Sequence, residues 1–266
     1  MKLLKRNYFL FKLLKHSILK SQDFQKKIEG IALLARFARV NHPGVFYDAE
    51  IEKHLNAMGM SIAIDDAFIQ AHKTYQEKYD TVYVATFLGK TGGHTECLIE
   101  YCKNAQEHSC VVLTAQSENE LPDNIKQKLY PITKVYFLKH LSDIKDRVKA
   151  LRLLAQKSKR IHLSHTHNDT LPNLAFSVND LPPVVVHNQE HSWFWLGLSV
   201  SDVIFSYNVF HKNMAERYRD CRESIQFYIL EHQPNTTAAE EDKAKARKKF
   251  NLPDQTVLIT SVGSRG

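Results

Sequence analysis

The sequence has few cysteines, and nothing in their arrangement points to a zinc site or a disulfide scaffold. The four are Cys97, Cys102, Cys110 and Cys221, in a chain of 266 residues. They show neither the paired spacing of a zinc knuckle nor the density of a small secreted domain. We therefore expect free thiols in a reducing compartment, with the cytoplasm as the location.

Long apolar runs are absent as well. No stretch reaches the roughly 18 consecutive apolar residues that a membrane-spanning helix needs. Lys12, Lys15 and His16 interrupt the apolar start too early for the core of a secretory signal peptide. The sequence predicts neither a span nor a signal peptide, and its hydrophobic content of 43% is ordinary for a globular protein.

Complete motifs for nucleotides and for hydrolysis are also missing. Residues 89–91 read like the end of a P-loop, but Val84 occupies the position of the required earlier glycine. The dinucleotide fingerprint needs three spaced glycines, whereas this chain has the adjacent pair Gly92 and Gly93. Neither a nucleophile elbow nor a clearly spaced pair of acids indicates a serine hydrolase or a glycosidase.

What the sequence does contain is a strand followed by a glycine turn and a helix. Residues 81–88 are β-branched and aromatic, as in a buried strand, and a helix begins near Thr95, after Gly92 and Gly93. Glycines before a helix let backbone N–H groups approach a phosphate or another anion. A plain strand-to-helix connection explains the same turn equally well, so both interpretations stay open.

The formal charge of +7 is concentrated in the first 38 residues and in residues 243–249. Residues 1–38 mix Lys and Arg with Leu and Phe, which is typical of basic amphipathic helices. Such helices more often pack on their own domain, and otherwise they lie on an anionic membrane. In the second case the protein would be peripheral on the inner face of the plasma membrane. We expect no nucleic-acid partner.

From residue 81 onward strands and helices alternate, which predicts an α/β fold with a Rossmann-like, mainly parallel sheet. The predicted strands are 81–88, 110–115, 134–138, 160–165, 183–187, 202–206, 225–230 and 256–262. The predicted helices include 48–58, 142–157, 171–178, 210–218 and a basic one within 243–253. The predicted organisation is a basic helical segment (1–78), a Rossmann-like domain (79–233), and a linker with the first strand of a truncated second domain (234–266).

Two histidines close the strand predicted at residues 160–165. His165 and His167 would share one face if that strand continued, and with Asp169 they nearly match a signature of zinc hydrolases. Thr170 stands where the last histidine of that signature would be, and no further ligand cluster follows. Histidines that are simply hydrogen-bonded at a strand end are the alternative.

A further histidine, His187, closes the next predicted strand, and Trp193 and Trp195 follow it. A histidine at this edge of a sheet can donate a hydrogen bond to a sugar hydroxyl or to a phosphate. Tryptophan rings stack on sugars in many proteins, but core packing explains these two better.

Taken in order, these features resemble the amino-terminal half of the retaining GT-B glycosyltransferases of the group 1 type (family 4). Gly92 and Gly93 look like the glycine-pair loop of that family, residues 165–168 look like its His-x-His strand end, and His187 looks like its later histidine. Arg265 looks like the arginine that is expected to bind the donor diphosphate, with one extra residue before it. The resemblance covers residues 79–265.

The resemblance implies transfer of a sugar from a nucleotide-sugar donor to a saccharide or lipid-linked acceptor, in envelope polysaccharide or glycolipid synthesis. No metal or other cofactor is expected. His187 is then the catalytic-site residue, which orients the transferring sugar or its phosphate. The substrate-binding residues are Gly92, Gly93, His167, Asn168 and Arg265. We expect the 266-residue chain alone to be inactive, because the remaining donor-binding residues of the family have no counterpart in it.

Two other functions stay open at this point. One is a non-catalytic α/β module that binds a sugar or a membrane. The other is a zinc hydrolase that uses His165, His167 and Asp169.

Overall fold

Seven parallel strands form one sheet, in the order β3-β2-β1-β4-β5-β6-β7. The computed structural model describes residues 2–105, 107–188, 192–219, 225–227, 245 and 247–253. The strands are β1 (Tyr79–Ala85), β2 (Ser109–Leu113), β3 (Lys134–Phe137), β4 (Ser158–Ser164), β5 (Val184–Asn188), β6 (Val203–Ser206) and β7 (Ile225–Phe227). Every pairing between neighbouring strands is parallel. The predicted α/β, Rossmann-like fold is confirmed.

Helices cover both faces of the sheet. They are α1 (Lys2–Lys20), α2 (Phe24–Val40), α3 (Ala49–Met60), α4 (Asp66–Ala71), α5 (Gly93–Asn104), α6 (Asp123–Leu129), α7 (Ile144–Gln156), α8 (Leu171–Phe176) and α9 (Val209–Tyr218). Because side chains alternate along a strand, β1 sends Tyr83 and Ala85 towards α5 and α6, and Val82 and Val84 into a second hydrophobic cluster. That second cluster includes α7, α8 and the amino-terminal helices.

The amino-terminal helices belong to the same hydrophobic core as the sheet. The carboxylate of Asp23 caps α2 by accepting from the Lys26 amide at 2.9 Å. On α1, Phe11 is buried and meets Phe194 edge to face, with 5.8 Å between ring centroids. Contacts divide the chain into one unit of residues 1–228 and another of residues 229–266. The inner face of α1 therefore packs on the domain, as residues 1–38 were expected to do.

Two buried charged side chains connect the amino-terminal helices to the rest of the domain. The guanidinium of Arg152, on α7, donates to four main-chain carbonyls, those of Gly59, Ile62, Leu174 and Ala175. The carboxylate of Glu52, on α3, accepts from the amides of Gly197, Leu198 and Ser199. Burial raises the pKa of Glu52, and these hydrogen bonds oppose the rise. Arg152 thus satisfies carbonyls at the carboxyl ends of α3 and α8, and Glu52 satisfies amides in the segment between β5 and β6.

The first strand is shifted from its predicted range. β1 covers Tyr79–Ala85 rather than 81–88, because the amide of Leu88 no longer bonds a neighbouring strand. It donates instead to the side-chain oxygen of Gln116 at 2.8 Å. The chain has therefore left the sheet before the glycine turn begins.

Only a short helical piece is described in the unit of residues 229–266. Residues 247–249 are helical, and the helix ends at Asn251, whose φ is 53°. The Leu252 amide closes that end by donating to the Arg247 carbonyl at 2.9 Å. The strand predicted at 256–262 and Arg265 lie outside the described residues.

Candidate functional site

The strand order reverses between β1 and β4, since β2 and β3 lie on one side of β1 while β4 and the later strands lie on the other. In open parallel sheets the loops after two such strands diverge and leave a crevice beyond the strand carboxyl ends. Here the crevice lies between the loop after β1, which carries the glycine turn, and the loop after β4. Polar side chains from the segments after β1 and β4 and from the end of β5 lie along this edge.

The glycine turn leaves open space in front of a helix. Gly92 has a φ of 133°, which residues with a side chain rarely adopt, and α5 begins at Gly93. A Cβ added to either glycine would meet no atom within 4 Å. The Gly89 amide donates to the Thr95 hydroxyl at 3.1 Å, which ties the turn to the first turn of α5. The helix start therefore offers backbone N–H groups and a positive dipole to a ligand.

His94, the second residue of α5, lies against the end of β4. Its Nδ1 is 3.4 Å from the hydroxyl oxygen of Ser164. His94 also lies close enough to His187 to contribute to the lowered pKa of that residue. The glycine turn, the end of β4 and the end of β5 thus converge on one histidine, which the sequence analysis did not select.

His187 is buried at the end of β5, one residue past the pair formed by Leu163 and Val186. Its Nε2 is 3.0 Å from Nδ1 of His162, and its own Nδ1 has no hydrogen-bond partner among the described residues. Burial lowers the pKa of His187 to about 3, and nearby His162 and His94 add to the effect. The ring is therefore neutral near pH 7 and serves as a hydrogen-bonding group rather than as a cation.

His167 has different surroundings, because β4 ends at Ser164 and the strand does not continue to carry the two later histidines on one face. His167 Nδ1 is 3.4 Å from a guanidinium nitrogen of Arg39, at the end of α2. Burial, with Arg39 next, lowers the pKa of His167 to about 4. His165 instead pairs its Nε2 with the Leu196 carbonyl at 2.6 Å.

Asn168 follows in the same loop, and its side-chain oxygen accepts a hydrogen bond from the Thr166 hydroxyl at 3.3 Å. Both side chains line a small cavity together with Arg147. The structure therefore brings Asn168 to the carboxyl edge together with the glycine turn. His167 and His187 have different partners, since His167 contacts Arg39 of α2 and His187 pairs with His162.

A threonine and aspartate network supports the crevice from below. The Thr86 hydroxyl, just past β1, donates to the Asp169 carboxylate at 2.7 Å and accepts from the Thr166 amide at 2.8 Å. The Thr114 hydroxyl, just past β2, donates to the same carboxylate oxygen. These groups line a cavity of about 200 Å³. This network was not predicted from the sequence, although a polar residue directly after each of β1 and β2, Thr86 and Thr114, is a signal for it.

A larger cavity lies away from this chemistry. It measures about 730 Å³ and lies at the amino ends of β5 and β6, where Val184 and Asp202 line it. In parallel sheets ligands bind at the carboxyl ends of the strands. We therefore assign the candidate site to the carboxyl edge in spite of the smaller volume there.

Within the described part of the chain, no group of three or more His, Cys, Asp or Glu side chains is placed to hold a metal ion. The residues that nearly match a zinc-hydrolase signature have other hydrogen-bond partners. His165 is committed to the Leu196 carbonyl, and Asp169 accepts from two threonine hydroxyls and the Leu171 amide. A zinc hydrolase built on these residues has no support from their geometry.

No protein-family model matches the chain, and no curated protein matches it. None of the described helices is both long enough and apolar enough to cross a membrane.

Proposed function

We propose that the chain is the acceptor-side part of a retaining GT-B glycosyltransferase of the group 1 type. It would take part in transfer of a sugar from a nucleotide-sugar donor to a saccharide or lipid-linked acceptor. One observation carries the proposal. The open helix start at Gly92 and Gly93 faces the end of β4 at the reversal of strand order, with His187 at the end of the next strand.

The glycine turn would bind the part of the substrate that carries hydroxyl or phosphate oxygens. Side chains at Gly92 and Gly93 would fill the space in front of α5, and their absence leaves the amides of the helix start accessible. His94 and Ser164 border the same space and can each donate or accept a hydrogen bond. A hydroxyl and an imidazole side by side are groups that form hydrogen bonds to sugar hydroxyls.

His187 would position the transferring sugar or its phosphate. A neutral imidazole beside the departing diphosphate donates a hydrogen bond without bringing in a proton that must later be removed. The Nε2 of His187 is already paired with His162, so Nδ1 is the atom left to act. In this role His187 stabilises charge that develops on the leaving group and forms no covalent bond to the sugar.

The burial of His187 favours a second candidate function. Its side chain is only 6% exposed, so a substrate reaches it only if a neighbouring side chain moves. A module that binds a sugar at the glycine turn without transferring it would not need that movement. The two functions share the Gly92 and Gly93 site and differ in whether the donor is consumed.

Ligand-observed NMR with the whole chain tests the shared site. The probes are UDP-glucose, UDP-N-acetylglucosamine, GDP-mannose and a set of methyl glycosides. Gly93→Val fills the open space while keeping an ordinary backbone conformation, since positive φ is found at Gly92 and not at Gly93. We expect Gly93→Val to weaken binding by about tenfold or more, because a side chain then blocks the helix start.

Lys103→Ala is the matched control, because it changes the opposite end of the same helix. It should bind the probes as the wild type does. If no probe binds, or if Gly93→Val binds as well as the control, the proposed site is wrong. Release of free nucleotide from a bound donor identifies a transferase and overturns the expectation that this chain alone is inactive. Binding without release is expected both of the acceptor-side part and of the non-catalytic module.

A further inference from the structure

The outward side of α1 exposes an unusual number of large apolar side chains. Phe9 is 64% exposed and Leu13 is 54% exposed. Single exposed apolar side chains are common on protein surfaces, but several on one helix are not. The exposed apolar residues of this helix are Leu3, Leu4, Tyr8, Phe9, Leu10, Leu13 and Leu14. They do not all share one face: at about 100° per residue, Phe9 and Leu13, with Leu10 beside them, form an outward apolar strip, whereas Leu3, Leu4 and Leu14 lie next to the buried Asn7 and Phe11.

The strip is not a consequence of a loosely attached helix. The inward side of α1 buries Asn7 and Phe11. Lys15 binds the Asp48 carboxylate at 2.7 Å and the Glu50 carboxylate at 2.7 Å, which fixes the helix against the start of α3. Since α1 is fixed through its inward side, its outward side presents the apolar strip in a defined orientation.

The charges of α1 are of one sign. The helix contains no Asp or Glu, and its basic residues are Lys2, Lys5, Arg6, Lys12, Lys15 and Lys20. At about 100° per residue, Lys5, Lys12 and His16 form a row beside Phe9 and Leu13. The outward side of α1 therefore combines the apolar strip with cations beside it and within it.

This combination fits an anionic lipid surface. Interfacial helices bury an apolar strip at the boundary of headgroups and acyl chains, and Lys or Arg beside the strip binds anionic headgroups. A protein partner would cover the strip equally well, but it would not need cations along the whole length of the helix. At 1.5 Å per residue, α1 would lie over about 28 Å of surface.

We propose that α1 docks this chain on anionic membranes, with its axis in the membrane plane and Phe9 and Leu13 in the interface. The inference goes beyond the proposed sugar transfer and does not depend on it. The helix that packs on α1 does link the two surfaces. Arg39 of α2 contacts His167, and a Cβ at Gly44, soon after Arg39, would lie 3.6 Å from Leu4 of α1.

Vesicle flotation with the whole chain tests the docking. One set of vesicles contains phosphatidylcholine alone, and the other also contains phosphatidylglycerol as about a third of the lipid. We expect the wild type to float with the anionic vesicles at about 0.05 M salt, and to do so at least about tenfold less at about 0.5 M salt. Floating equally with both kinds of vesicle, or with neither, would overturn the proposal.

Two double variants separate the apolar and the charged contributions. Phe9→Ser with Leu13→Ser should lower the partition by about tenfold or more, because two large side chains no longer enter the interface. Lys5→Glu with Lys12→Glu should lower it by about twentyfold at low salt. Both pairs are exposed, so melting temperatures close to that of the wild type are expected.

Matched controls change similar residues elsewhere. Lys73→Glu with Lys78→Glu makes the same change of charge, and Ile132→Ser with Val209→Ser removes exposed apolar side chains. Both controls should float like the wild type. The proposal is overturned if α1 variants and controls partition alike. It is also overturned if sedimentation shows that Phe9→Ser with Leu13→Ser abolishes a dimer while the wild type ignores vesicles.

Discussion

Acidification should destabilise this chain, because several histidines are buried in their neutral form. Burial lowers the pKa of His187 to about 3, and it lowers the pKa of His162 and of His167 to about 4, from 6.5. In the unfolded chain the same imidazoles take up protons as the pH falls through about 6.5. The unfolded state therefore binds more protons between about pH 6.5 and about pH 4, and stability is lost as the pH falls through that window.

The size of the effect follows for His187 alone. At about pH 5 the unfolded imidazole is about 1.5 pH units below its pKa, and its protonation stabilises the unfolded state by about 2 kcal/mol relative to about pH 7. The folded imidazole takes up almost no proton over the same range. His162 and His167, whose pKa values are both lowered to about 4, each add a comparable loss. Small proteins are stable by about 5–15 kcal/mol, so this loss is large enough to measure.

Urea unfolding followed by circular dichroism at pH 5, 6, 7 and 8 measures it. The free energy of unfolding should fall by about 2 kcal/mol less in His187→Gln than in the wild type when the pH drops from about 7 to about 5. Above about pH 7 the two curves should run parallel, since the imidazoles are then neutral in both states. If His187→Gln and the wild type have the same pH dependence below pH 7, the assigned burial of a neutral His187 is refuted.

Val185→Ala is the control for packing. Val185 lies on the same strand as His187 and pairs with His162 in the sheet register, but it does not titrate. Its substitution should lower the stability by a constant amount at every pH. A change in slope for Val185→Ala would mean that the histidines respond to packing and not to their own protonation.

Two further predictions concern buried polar groups. Arg152→Met should lower the free energy of unfolding by about 3–5 kcal/mol, because four buried hydrogen bonds to the carbonyls of residues 59, 62, 174 and 175 are lost. An unchanged urea midpoint would contradict this. Asp169→Asn should cost about 1–2 kcal/mol, since an amide cannot accept from Thr86, Thr114 and the Leu171 amide at once, and Asn168→Ala in the same loop should cost less.

The fold could be predicted because it depends on local patterns. Buried parallel strands are short, β-branched and separated by helices, and β2 to β6 lie where such runs occur in the sequence. The order of the strands could not be read from alternation alone, since the reversal at β1 and β4 is decided by long-range pairing. The exit of the chain before Leu88 was missed for the same reason, because Gln116 is distant in sequence.

The site was predicted only where one short segment carries it. Gly92 and Gly93 mark the helix start by themselves, because only a residue without a side chain suits the φ of Gly92. The contact between Arg39 and His167 joins residues 128 positions apart, and nothing near either residue signals it. Asp169 was considered as a metal ligand, whereas its partners are hydroxyls on two other loops.

Two imidazole nitrogens at the carboxyl edge are able to form a further hydrogen bond. His167 Nε2 and His187 Nδ1 are both buried and lack a hydrogen-bond partner among the described residues. A buried polar atom without a partner costs about 1–3 kcal/mol, and folded proteins satisfy most such atoms. Neither ring is protonated near pH 7, so each could accept from or donate to a neutral ligand group without a change of charge.

A sugar hydroxyl or a phosphate oxygen that reached either nitrogen would remove that cost. The same two nitrogens thus lower the stability of the chain and raise its affinity for a ligand. A substitution that stabilises the chain by replacing His167 or His187 with an apolar residue should weaken ligand binding for the same reason.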